Sequence, residues 1–397
     1  MPGPRASGGV WVFGWEGAAR TSARGTVSLS GRAVVRSPNV AVSMSSSFSR
    51  RRFLQLSGAA TALASARTLK GAPLIGAPAI LPSAPVLGHG DFRYRQVPGW
   101  GVLDALTPVN HGHGLVIDRK GHVILLTDEV RNNVIIYDRR GRLVHKWGTA
   151  YPGAHGLSLV REGEHEVLFL TDLRTHRVVK TTLDGTVLAE WRWPEDTGRY
   201  EREDQYRPSW TLHRANGEFY VLDGYGRDYI LHYDATGRRI GMFGGAEGGI
   251  THWGPHGGMI DTDAAGQESL LIAMSDQQYL LRLDLAGQPL GRTALPGGNP
   301  RQIRRFGSHA VVAHLADNWP RDRQSRGFVS ILDATLRVVA NVGGTAPEYD
   351  DAGQLRPMRQ VGETFIHPHD AIVDAEGSLY VAQFDSGRTY PLKFERV

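Results

Sequence analysis

The sequence predicts an all-β fold, a six-bladed β-propeller. Three observations carry the prediction: a phrase of roughly 40 residues recurs six times, each copy reads as consecutive short strands, and helical periodicity is absent. The copies span residues 113–148, 155–191, 209–244, 256–291, 301–343 and 369–397. The fifth is the faintest and carries a polar insertion near Asp317 to Arg326. Within a copy, apolar residues alternate with polar ones and Gly, Asp and Asn mark the turns, which is the pattern of a β-meander. A meander of this size cannot bury both faces alone, so successive copies must stack as blades around an axis.

Ring closure follows from counting strands. The sixth copy runs out at Val397 with no room for a fourth strand, while Phe92 to Val97 alternates as a strand that belongs to no copy. That N-terminal strand is expected to complete the last blade and close the ring, which would leave no sheet edge open.

Upstream of the repeats, composition changes. Residues 1–66 hold eight arginines against the single acid Glu16, so the formal charge of +5 is concentrated there. The remaining 331 residues carry 37 basic and 39 acidic side chains, a balance that argues against a nucleic-acid partner. Arg50-Arg51-Arg52-Phe53-Leu54 precedes a modest apolar stretch and the small residues Ala64-Ser65-Ala66, the pattern of a twin-arginine export signal over 44–66. Residues 1–43 are expected to be a disordered or untranslated leader and 67–90 an extended, proline-bearing linker, leaving 91–397 as the propeller. The protein is then expected to be periplasmic or secreted, monomeric, and free of the membrane once the signal is cleaved. No apolar run reaches the roughly 18 to 20 residues of a transmembrane helix, and the chain has no cysteine, so any metal must be held by nitrogen and oxygen.

Histidine supplies the nitrogen. His113, His155, His256 and His369 each stand where the first strand of a copy begins, in copies one, two, four and six. First strands line the channel of a propeller. The histidines of copies two, four and six therefore converge about 120° apart, as a three-histidine zinc site requires; iron, cobalt and manganese remain alternatives. His367, two residues before His369, is a further candidate ligand. His122, His145, His165, His176, His213, His232, His309 and His314 fall in turns or later strands and are expected to face solvent.

The copies resemble NHL repeats: Asp374 to Gln383 reads as the family's Asp-x-x-Gly-x-x-[Tyr/Phe]-Val-x-Asp phrase, with Gln at the last position. Within that group the order of motifs resembles the peptidyl-α-hydroxyglycine α-amidating lyases (peptidylamidoglycolate lyases), on Ala154-His155-Gly156-Leu157, Pro255-His256-Gly257, Pro368-His369-Asp370 and Asp223-Gly224-Tyr225-Gly226. The resemblance implies zinc on His155, His256 and His369, with Tyr225 as catalytic acid or base. It implies a structural calcium on Asp370 and the carbonyls of Leu115 and Leu157. It also implies two arginines for a substrate carboxylate, of which only Arg131 falls near an expected stretch. His367 stands where the family has methionine. The implied reaction splits a carbinolamide of a peptide or small molecule into an amide and glyoxylate. Two other readings stay open: a non-catalytic propeller that binds a ligand or protein, and a metal-dependent hydrolase at the same site.

Overall fold

A computed structural model describes residues 84–245, 254–318, 321, 322 and 324–397. The leader, the export signal and residues 67–83 of the linker lie outside the described residues. The rest is a six-bladed β-propeller, built from six antiparallel sheets with almost no helix.

The innermost strands of blades one to six are Gly112–Ile117, Ala154–Glu162, Trp210–His213, Pro255–Thr262, Pro300–Phe306 and Pro368–Val373. Each leads outward through hairpins. Their turns explain the repeated Asp-x-x-Gly spacing. At Asp118 the carboxylate accepts the N–H groups of Lys120 and His122, and Gly121 donates to the Asp118 carbonyl from a φ of 78°. Glycine adopts that left-handed conformation without steric cost. In the outermost hairpin, Leu336 of blade five occupies the place that Gly141 holds in blade one, with a φ of 64°, one reason that copy is faint in sequence.

The ring closes as the strand count requires. Phe92–Gln96 pairs antiparallel with the last strand, Leu392–Arg396, placing Tyr94 opposite Arg396. One segment departs from the sequence reading: Val86–His89, inside the stretch read as linker, pairs with Phe92–Gln96 and gives blade six a fifth strand.

Six apolar clusters hold the ring, each lying between neighbouring blades. Leu115, Leu125 and Tyr137 of blade one meet Ile372, Tyr380 and Ala382 of blade six, for example, while Tyr94 and Phe394 of blade six meet Val329 and Val342 of blade five. Both faces of the middle strands are covered, so Val123–Thr127 and Val134–Tyr137 are apolar almost throughout. The large side chains in these clusters stabilise the fold by roughly 1.5–3 kcal/mol each. They also fix how close the innermost strands come to the axis.

Candidate metal centre

At the axis the backbone itself aims the side chains. The pairing register of the innermost strand breaks at the channel position in five of six blades: at His113, His155 with Gly156, His256, Arg301 and His369. A β-bulge turns a side chain out of the alternating pattern. Here it turns imidazoles inward.

His155, His256 and His369 form a near-equilateral triangle, with ring centroids 4.7, 4.9 and 4.9 Å apart. All three are buried. Each donates Nδ1–H to a carbonyl of the next blade: His155 to Ser209 at 2.9 Å, His256 to Arg301 at 2.8 Å and His369 to His113 at 2.7 Å. The acceptors occupy the channel position of blades three, five and one, so even blades supply imidazoles and odd blades supply carbonyls. A carbonyl can only accept. The proton is thereby fixed on Nδ1 and the lone pair on Nε2, the orientation a metal-binding imidazole needs. Nε2 of His155 is buried with no hydrogen-bond partner, a cost that a bound cation would remove. Burial, reinforced by neighbouring imidazoles and Arg301, lowers the pKa of all three well below the usual histidine range. They are therefore neutral at neutral pH, as ligands must be.

The glycines after two of these histidines follow from the same contacts. A Cβ on Gly156 would lie 2.5 Å from the Ser209 carbonyl oxygen, and one on Gly257 would lie 2.5 Å from that of Arg301. The carbonyl that orients each histidine thus excludes a side chain from the next residue.

His113 joins the cluster, its ring 5.1 Å from His155 and 4.9 Å from His369. Ligating nitrogens of His113, His155 and His369 lie within 4.8 Å of one another. His256 instead directs Nε2 to the Tyr225 hydroxyl, which donates to it at 3.0 Å. Two overlapping triads therefore share His155 and His369. The set with His256 has three carbonyl-fixed tautomers. In the other set, His113 leaves Nδ1 buried without a partner and holds Nε2 3.9 Å from Asp128. The two sets differ in what prepares them: carbonyl-fixed tautomers in the set with His256, nitrogen spacing in the set with His113.

Tyr225 enters from blade three, 39% exposed as a residue but with its hydroxyl turned inward to His256. Burial of the hydroxyl end raises its pKa, against the pull of Arg301, so the phenol holds its proton. A cavity of about 350 Å³ opens beside it, lined by His113, His155 and His369, by Arg207, Asp276 and Arg301, and by apolar Leu173, Leu315 and Phe384. Arg301 is 7% exposed; its Nη1 reaches the Tyr225 hydroxyl at 3.5 Å and its Nε has no hydrogen-bond partner. Sequence reasoning missed Arg301 and Arg207. For Arg301 a signal existed: it fills in copy five the position that histidine fills in four other copies.

Other expected residues go elsewhere. Arg131 forms a two-pronged ion pair with Glu129, both contacts 2.8 Å, and remains 59% exposed, so its guanidinium is committed away from the cavity. His367 turns Nε2 to the Ser325 carbonyl at 3.2 Å rather than joining the triangle. His314, expected at the surface, is fully buried and bonds the Ser330 hydroxyl.

The oxygens assigned to calcium are also engaged. Arg304 donates from Nη2 to the carbonyls of Leu115 and Leu157, both at 3.0 Å, and to Asp370 Oδ2 at 2.7 Å. A calcium ion needs those same three oxygens, so this oxygen set does not fit the ion while Arg304 is present.

No family model and no curated protein matches the chain. Solved structures do match. A streptogramin B lyase aligns with a TM-score of 0.51 and 13% identity, covering 77% of this chain and 97% of that one. The virginiamycin B lyase from Staphylococcus aureus gives 0.48 and 13%, over 77% and 88%. A protein of unknown function from Bacteroides caccae gives 0.40 and 13%, over 68% and 82%. Fold and site together define a six-bladed β-propeller with a histidine-lined axial cavity. Among the proteins similar to it in fold are ones named as lyases.

Proposed function

We propose that this chain is an exported metalloenzyme of the lyase type, with zinc bound by His155, His256 and His369. The observation that supports the reading is the threefold repetition of Nδ1–H to carbonyl contacts in imidazoles whose ring centroids lie 4.7 to 4.9 Å apart, which leaves Nε2 as the ligating nitrogen of each, that of His256 exchanging the Tyr225 hydroxyl for the ion. Bound there, zinc would supply Lewis acidity toward a substrate oxygen. Export rests on the twin-arginine pattern at Arg50 and Arg51.

The chain's own residues suit cleavage of a carbinolamide whose carbon carries a carboxylate. In that reaction the hydroxyl loses its proton, a carbonyl forms at its carbon, and the C–N bond breaks with its electron pair passing to nitrogen. The nitrogen must then gain a proton. Tyr225, protonated and pointing into the site, is placed to deliver it and to be reloaded from the substrate hydroxyl. Arg301 and Arg207 flank the cavity, and a buried guanidinium with an unused Nε–H favours an anionic group on the substrate. Leu173, Leu315 and Phe384 provide the apolar wall that keeps water sparse.

Zinc analysis of the purified chain tests the metal, and glyoxylate release from an α-hydroxyglycine peptide tests the chemistry. Near one zinc per wild-type chain is expected, with most of it lost in His369→Ala, while His113→Ala keeps it. Wild-type protein without bound metal would remove the enzyme reading. Bound metal with no glyoxylate would point to the hydrolase alternative.

A further inference from the structure

We propose that Arg304 is a built-in cation that occupies an oxygen cage on the propeller axis, so that this chain needs no calcium and gains a calcium site only when Arg304 is removed. The cage has three walls. Leu115 and Leu157 offer carbonyl oxygens from blades one and two, and Asp370 offers its carboxylate from blade six. Arg304, from blade five, reaches all three with Nη2 and adds an Nε contact to Asp370 Oδ1 at 3.3 Å. Its guanidinium carbon lies 5.2 Å from the centre of the Trp210 ring of blade three. Five of the six blades therefore meet on one side chain.

Asp370 is completely buried, and its remaining bonds come from the backbone N–H groups of Leu115 and Ala371, both at 2.9 Å. A buried carboxylate facing two carbonyl oxygens is a concentration of negative potential that demands a positive partner. Hard divalent ions favour oxygen donors of this kind, with water completing the shell. A guanidinium satisfies the same oxygens through directed N–H bonds, without depending on ion concentration. Neither the carboxylate nor the carbonyls belong to the histidine triangle. The readout is accordingly calcium response, not zinc content or catalysis.

Thermal unfolding of the full chain, with and without millimolar calcium chloride, provides the test. The wild-type midpoint is expected not to move with calcium, and titration calorimetry to detect no calcium binding. Arg304→Ala is expected to unfold on the order of 10 °C lower, since it leaves a buried carboxylate unpaired. Calcium should restore part of that loss, whereas sodium chloride at equal ionic strength should not. Arg304→Lys, which keeps a cation, should stay folded and indifferent to calcium; it serves if the alanine variant does not fold. One calcium bound per wild-type chain, a calcium response in Arg304→Lys, or a destabilised Arg304→Ala that calcium does not help would each overturn the proposal.

Discussion

In the proposed metal site His155 has two demands to satisfy at once: its Nδ1–H needs an acceptor deep in the protein, and its Nε2 must stay free to bind. Ser209 meets the first demand only because Gly156 leaves room for its carbonyl. Gly156→Ala is therefore expected to push that carbonyl aside and weaken metal binding by roughly 10- to 100-fold, as loss of an orienting partner does elsewhere. Competition against a chromophoric chelator measures this, and unchanged affinity would show that the Ser209 contact is dispensable. The histidines were legible in the sequence because each begins a repeat, and a ring turns equal register into nearness. Arg301 was marked only by its register in copy five, and Arg304 not at all. Their partners come from blades one, two, three and six, and no spacing along one strand announces that convergence. The same holds for the oxygens read as calcium ligands: Leu115, Leu157 and Asp370 do share one partner, but that side chain, Arg304, lies in the least regular copy.

Among the strands, Phe92–Gln96 carries the most consequence for its length. Its Tyr94 is 1% exposed in the cluster between blades five and six. Tyr94→Ala is expected to cost roughly 3–5 kcal/mol, the usual loss for a large buried aromatic residue. Chemical denaturation reads that directly; a loss under 1 kcal/mol would mean the neighbouring strand Val86–His89 suffices to hold the blade. Strand identities were readable from period-two alternation and Asp-x-x-Gly turns. Val86–His89 was not, because Val86-Leu87-Gly88-His89 has no alternation long enough to stand out from the proline-bearing segment before it.

Acid should loosen the whole ring through its buried histidines. His314, packed on Phe328 and bonded to Ser330, has its pKa lowered to about 3 by burial. Its folded value lies below the unfolded one, so the stability tied to it is complete above pH 6.5 and drains away as pH falls toward 3. By pH 5 the loss from this residue is about 2 kcal/mol. Denaturant midpoints for wild type and His314→Gln should therefore converge as pH drops from 7 to 5, and parallel curves would assign the acid sensitivity to other groups.

Closure of blade six also orders events in time. The hydrogen bond from His369 to the His113 carbonyl crosses the joint between the sixth blade and the first, and Phe92–Gln96 finds its partner only in Leu392–Arg396. Strands within a blade can pair before that joint forms, but His369 gains its orienting carbonyl only once blade six meets blade one. Orientation of all three imidazoles is thereby coupled to closure of the ring, not to the folding of any one blade.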